Sequence, residues 1–400
     1  MHSDSSSRPK APLWLLVLVT LAGTLAMHMF IPALPDATRD LASSSGHMQQ
    51  TITVYILGLA LGQLVYGPLS DSLGRRPMLL IGLGLYTAAS LAALFSPSDS
   101  WLITTRLFQA LGGCAGLALG RAIARDTSTP ETVVANLALL NLMMMLGPGI
   151  APFIGSTIDA LLGWRAIFAL LTLMGLFTLV SVWRLLPETG HPTGQFNWRT
   201  VQRDYRHLLG TPQFVILAIG GGCATTGMYA FIAAAPFIFM EQLHTSKTQV
   251  GLYLGMVMAG MAVGNLLTRQ LIRRWPVERL MMGGNLLSLI CASLLLLLIL
   301  LNQLSIPAVV TLMGLFSLGA GLTSPAALSK ALDIHPELTG SAAGVYGCTQ
   351  MLVGALCTLA ASLGSNPALS ATCVLLIASA IGQLGFRAAL KYQTPHPDGS

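Results

Sequence analysis

Charge is scarce in this chain. Only 9% of its 400 residues are Asp, Glu, Lys or Arg, where a soluble globular protein has roughly a quarter, so an ordinary soluble multidomain protein is excluded. Acids are the scarcer sign, 15 against 21 bases. The net charge of +6 comes from that shortage and not from a long basic run, so a nucleic-acid footprint is absent. Cysteines number six, none in a C-x-x-C pair, and all lie in apolar stretches. They read as small packing residues, not as a disulfide framework or a metal site. No G-x-x-x-x-G-K-[ST] phosphate loop, H-E-x-x-H or G-x-S-x-G motif occurs. A membrane-embedded enzyme therefore has no catalytic set, and any uphill work must draw on an ion gradient. No cofactor and no metal are expected.

Apolar residues are what the chain has, 54% of it with a mean hydropathy of +0.70. Because a helix needs about 20 apolar residues to cross a bilayer core about 30 Å thick, runs of that length bounded by charge or Pro/Gly clusters mark spans. Twelve are expected: Leu13 to Leu34, Thr51 to Pro68, Pro77 to Phe95, Trp101 to Leu119, Val133 to Ile154, Trp164 to Leu186, Pro212 to Phe239, Val250 to Leu267, Leu280 to Leu301, Ile306 to Ala327, Thr339 to Ala361 and Pro367 to Leu384. The first run is too long for a cleaved leader and reads as a retained span. With the amino terminus cytoplasmic, 17 of the 21 Lys and Arg fall on cytoplasmic segments, three (Arg39, Arg165, Lys247) fall outside, and Arg106 is left within a span. That asymmetry places both termini in the cytoplasm.

The longest polar stretch between spans sits near the midpoint. The expected organisation is a tail (1–12), a six-helix bundle (13–186), a central cytoplasmic loop (187–211), a second bundle (212–390) and a tail (391–400). A Gly-to-Pro basic turn follows the second span of each half, Gly67 to Pro77 and Gly264 to Pro276, which suggests two parallel repeats.

Several positions carry candidate chemistry. Gly67-Pro-Leu-Ser-Asp71-Ser-Leu-Gly74-Arg75-Arg76-Pro77 packs glycine, carboxylate and two arginines into one short connection. It reads either as a solvated positive-inside loop or as a latch, with Arg75 able to pair with Asp126. Arg106 lies a few residues inside the fourth span, where an unpaired cation costs at least about 2.5 to 3.5 kcal/mol. Either it snorkels toward Trp101 or it faces an interior site. Gly147, Pro148, Gly149, Pro152 and Gly155 put a kink in the fifth span, and the stripe Gly251, Gly255, Gly260, Gly264 on the eighth could receive it. Polar and aromatic side chains available to a cavity are Tyr55, Gln63, Thr225, Thr226, Tyr229, Tyr346 and Gln350.

The spacing of the Gly67 to Pro77 segment resembles the signature loop of the major facilitator superfamily, and the neighbouring residues resemble its Bcr/CflA branch of drug:proton antiporters. Carrying that resemblance are Met29-Phe-Ile-Pro-Ala-Leu-Pro35, Gly62-Gln63-Leu64, Arg106-Leu-Phe-Gln109-Ala-Leu-Gly112-Gly113, Arg121-Ala-Ile-Ala-Arg125-Asp126, Gly147-Pro148-Gly149-Ile-Ala151-Pro152, Gly163-Trp-Arg165-Ala-Ile-Phe168, Leu186-Pro187-Glu188-Thr189 and Gln350. It implies an all-α membrane protein, twelve helices in two pseudo-symmetric six-helix bundles, alternating access about a midplane site, and a monomer in a bacterial inner membrane. It also implies efflux of small amphipathic compounds in exchange for protons, Arg106 and Gln109 facing the cavity, and Gly147 to Gly155 as the antiporter motif. One departure stands out. The branch usually has an aspartate where this chain has His28. Histidine can carry a proton near neutrality, or can sit neutral and hydrogen-bonded. A facilitator or a carrier of one metabolite with weaker coupling is the alternative reading.

Overall fold

The computed structural model describes residues 11–128, 132–190 and 198–391. Arg8, Lys10 and most of both expected tails lie outside them. Among the described residues there is no strand. Without water to serve the backbone, a chain crossing lipid must satisfy its own N–H and C=O groups, and helices do this within one segment. Twelve helices among the described residues are long and apolar enough to cross a membrane: α1 Leu13–Asp40, α2 Ser45–Leu73, α3 Arg75–Leu94, α4 Asp99–Thr127, α5 Val133–Leu162, α6 Arg165–Leu185, α7 Pro212–Gln242, α8 Lys247–Leu271, α9 Val277–Leu300, α10 Ile306–Leu332, α11 Thr339–Ser362 and α12 Pro367–Lys391. A short amphipathic helix, Trp198–Leu209, links the halves.

The observed helices outrun the expected spans where the ends are polar. Hydropathy registers only the lipid-crossing part, so α2 begins at Ser45 and α4 continues to Thr127. The segment Gly67 to Leu73, expected as part of a loop, forms the last turns of α2 with Pro68 inside the helix. Gly74 alone makes the reversal, at φ +102°, a backbone conformation that glycine adopts without a Cβ penalty. Gly67 is not a close-approach site, because a Cβ there would meet nothing within 4 Å. Serine side chains cap α2, α4 and α8: Ser44 accepts from His47 N, Ser98 from Trp101 N, and Ser246 forms a capping box with Gln249.

The two most buried spans are broken. α1 passes through a 3-10 turn at Ile31–Ala33, where Pro32 lacks the N–H that a continuous helix would use. α7 does the same at Thr226–Met228 and ends in a π turn at Ile238–Gln242. Around them the halves meet along two seams, α2 on α11 and α5 on α8. The second seam is built on backbone. Gly251 lies against the Pro152 carbonyl and Ser156, and Gly255 against the Gly149 carbonyl. The rest of the α8 stripe turns elsewhere: Gly260 meets Gly314 and Gly264 meets Leu318 and Gly321, all on α10. α5 remains one helix through both prolines, and on its other side Gly155 abuts the Met29 carbonyl of α1.

Adding a methyl at Gly155 must push two backbones apart. Gly155→Ala should lower thermal stability in detergent by about 1 to 3 kcal/mol, whereas Gly149→Ala, where a new Cβ meets nothing within 4 Å, should be neutral or slightly stabilising. Equal melting curves for the two variants would contradict this packing.

Candidate transport site

Arg106 is completely buried. It neither snorkels nor reaches an open cavity, but lies inside the first bundle between α1, α2 and α6. Its Nη1 donates to the Ala26 carbonyl at 3.0 Å and to Gln109 Oε1 at 2.6 Å. Gln109 Nε2 donates to Ser90 Oγ at 2.8 Å, and Ser90 donates on to the Tyr86 carbonyl. Among the described residues no carboxylate balances the charge. Instead the guanidinium carbon sits 4.1 Å from the Tyr55 ring centroid, 5.4 Å from Phe30 and 5.9 Å from Phe168. A desolvated cation over an aromatic face gains about 2 kcal/mol, so three rings and two acceptors offset much of the insertion cost. Nε and Nη2 have no hydrogen-bond partner among the described residues. Tyr55 belongs to this cage and not to a cavity wall: it is fully buried and donates to the Gly23 carbonyl at 2.6 Å.

Other candidate residues meet between the halves. His28, 3% exposed, has Nδ1 2.8 Å from the Thr24 carbonyl, and its ring centroid is 6.4 Å from that of Tyr229 on α7. That contact crosses from one half to the other. Beside it, Gln350 Nε2 donates to Thr225 Oγ1 at 3.0 Å, and Thr226 Oγ1 donates to the Gln350 carbonyl at 2.6 Å, tying the α7 break to α11. The Gln63 side chain lies over Gly347 of α11. Tyr346 is nearly fully buried with its hydroxyl against Gly221 of α7, inside the second bundle.

At the end where α1 begins and α12 finishes, Arg75 Nε lies 2.7 Å from Asp126 Oδ2. The carboxylate gripping the α2–α3 junction is Glu188, which accepts from Arg75 N at 2.9 Å and Arg76 N at 3.2 Å. It thereby satisfies N–H groups exposed at a helix start. Arg76 also reaches the Trp183 carbonyl at 2.7 Å. Asp71 is exposed, and no ion pair involves it among the described residues. Below the seam, Tyr205 of the linker helix donates to the Leu64 carbonyl at 3.1 Å. Burial pushes its phenol up to about 12, so it stays a donor.

The opposite face carries a contact that the sequence did not announce. Lys247, at the start of α8, pairs with Asp36 of α1 and lies 3.4 Å from Asp159 Oδ2 of α5. One lysine of the second half thus joins two aspartates of the first. Arg39 shares Asp36 at 3.1 Å, and Arg165 pairs with Asp40. All three cations expected on this face are paired with acids, and the halves are closed against each other here.

A helix bundle with polar groups between its halves does not by itself name a family. The sequence model described as Major Facilitator Superfamily matches residues 16–358. The chain belongs to that superfamily. Its relatives include multidrug resistance protein D of Escherichia coli, 30% identical over 357 residues and 88% of each chain. A chloramphenicol resistance protein of Pseudomonas aeruginosa is 30% identical over 350 residues, covering 86% of this chain and 82% of the relative. Such relatives bear out the resemblance to the Bcr/CflA branch. In fold it is similar to a bacterial homolog of the human lysosomal transporter Spinster, solved inward-facing and occupied, with a TM-score of 0.77 at 14% identity over 96% of this chain and 98% of that one. The protein is a multi-pass membrane transporter of a non-enzymatic family.

The geometry makes two demands testable. Arg106→Lys keeps the charge but loses the planar fork and its ring stacking, so transport should fall at least about tenfold with membrane abundance unchanged; activity within about twofold would show that charge alone suffices. Lys247→Met should loosen the closed face. With a third of the lysine side chain exposed, the pair is worth about 1 kcal/mol, so spin labels at Ser43 and Asn366 should show a several-fold larger separated population. An unchanged distance distribution would mean the halves are held closed by other contacts.

Proposed function

We propose that this transporter exports small amphipathic compounds across a bacterial inner membrane in exchange for protons, with both termini in the cytoplasm. The observation that carries the reading is where the titratable groups fall. Every described acid within a span sits in its terminal one or two turns: Asp36, Asp40, Asp71, Asp99, Asp126, Asp159, Glu241 and Glu278. His28 is the one histidine or acid deep within a span among the described residues, and it lies at the seam facing Tyr229 of the other half. A proton carrier must be reachable from each side in turn, which a group between two moving halves satisfies. Support for the substrate class comes from the drug-resistance names of the relatives.

Arg106 fits a positioning role. Bonded to the Ala26 carbonyl two residues before His28, it fixes the turn of α1 that carries the imidazole. A bound cationic substrate beside His28 would compete with a proton there. Glu188, Arg75 and Asp126 brace the α2–α3 junction in the conformation closed at the Lys247 face, and Asp71 is placed to find its partner in the opposite one. The cavity surface is assigned to Gln63, Thr225, Tyr229 and Gln350. The protein works as a monomer without a cofactor, since the proton gradient supplies the energy.

Inside-out vesicles test direction and coupling together. Wild type should accumulate substrate and lose that accumulation with a protonophore, while His28→Ala should abolish uphill uptake and spare downhill exchange. His28→Asp should restore coupling with an altered voltage dependence, because each unit charge crossing 100 mV is worth about 2.3 kcal/mol. Uphill, protonophore-sensitive transport by His28→Ala would place the proton site elsewhere.

A further inference from the structure

The two halves treat their equivalent basic turns differently. After α2, the arginines are engaged within the protein: Arg75 with Asp126, Arg76 with the Trp183 carbonyl, and both backbone N–H groups with Glu188. After α8, four arginines cluster about the connection to α9: Arg269 in the last turn of α8, Arg273 and Arg274 in the connection, and Arg279 in the first turn of α9. All four are exposed. None has an ion pair or a side-chain hydrogen bond among the described residues. Glu278, the acid of the same turn, is taken by Lys330 of α10.

The connection is not a loose loop. Arg274 N and Trp275 N both donate to the Leu271 carbonyl at 2.8 Å, and Ile272 N donates to the Thr268 carbonyl at 2.9 Å. This fixed backbone holds two apolar side chains out among the arginines, Ile272 at 45% and Trp275 at 55% exposure. A soluble partner gains little from a tryptophan at the end of a membrane span. Tryptophan at that level belongs among headgroups, with its ring toward the acyl boundary. The fixed positive charges of the arginines attract anionic headgroups at the membrane surface. Charge, apolar anchors and depth together call for one occupant.

We propose that the α8–α9 turn is a docking site for anionic phospholipid, with Arg269, Arg273, Arg274 and Arg279 holding headgroup phosphates and Ile272 and Trp275 seated at the acyl boundary. The occupant belongs to the leaflet at the end where α1 begins and α12 finishes, which is the cytoplasmic one in the orientation proposed above. The site is confined to the turn of the second half, because Arg75 and Arg76 of the equivalent turn are bound within the protein. The two bundles therefore meet that leaflet differently, one anchored by lipid and the other braced by its own carboxylates.

The test is native mass spectrometry of the full-length transporter released from nanodiscs containing equal phosphatidylglycerol and phosphatidylcholine. Wild type should retain phosphatidylglycerol preferentially, and Arg269→Gln/Arg273→Gln/Arg274→Gln should lose that preference by about fivefold per arginine removed at low salt. The charge-preserving Arg269→Lys/Arg273→Lys/Arg274→Lys should keep most of it, and Arg199→Gln/Arg203→Gln on the linker helix should leave it intact. A glutamine variant that retains phosphatidylglycerol as wild type does would overturn the proposal. So would a linker-helix variant that loses as much, since the effect would then belong to total charge. Loss by the lysine variant equal to that of the glutamine variant would likewise point to damaged folding and count against it. Substrate transport is read separately, so failure of this site leaves the antiport reading untouched.

Discussion

A charge placed in hydrocarbon without a partner costs several kcal/mol, and the rest of this molecule is arranged around that constraint. Acids are held to the ends of their spans, where water or a basic partner reaches them. Asp126, Asp36, Asp40, Asp159 and Glu278 all lie against Arg or Lys within a turn or two of a helix end. The single cation in mid-span, Arg106, is wrapped by three aromatic rings and held by one carbonyl and one amide. Removing the acids from the middle has left the seam with neutral polar groups and one imidazole.

That arrangement separates two jobs. Inside the first bundle, Arg106, Gln109 and Ser90 form a fixed chain that binds α4 to α1 and α3 and has no opening to the other half. Between the bundles, contacts are sparser and cross from half to half: His28 beside Tyr229, Gln63 over Gly347, and Lys247 on two aspartates. Bonds of the first kind keep a bundle rigid. Those of the second kind can be made and broken without disturbing either bundle, which a transporter of this superfamily needs if its halves are to move as bodies.

Much of this was legible in the sequence, and the residues show why. Twelve apolar runs gave twelve spans because lipid imposes one length and one kind of backbone bonding. Their boundaries fell short wherever a helix continued into water, as at Thr127 and Leu162. Arg106 and Gln109 were readable as a pair because one helical turn separates them, and the Arg75–Asp126 pair was suggested by the neighbouring motifs. The aromatic cage was not readable, since Phe30, Tyr55 and Phe168 come from three other helices. Glu188 sat in a recognised motif with no sign that it would reach across to residues 75 and 76. Lys247 looked like a stray outer cation. Contacts over fifty residues or more leave no periodicity behind, and only the folded geometry brings them together.

The seam between α5 and α8 is made of glycines facing carbonyls, with only the small Ser156 side chain between the helices at Gly251 and none at Gly255. Interdigitated side chains act like teeth, and parting them requires rotamers to jump. Two backbones separated by no more than a serine have no such teeth. They can roll or shear by small amounts with little change in contact, so this line behaves as a plain bearing between the halves, and a bulky residue there would jam the motion before it harmed the fold of either half.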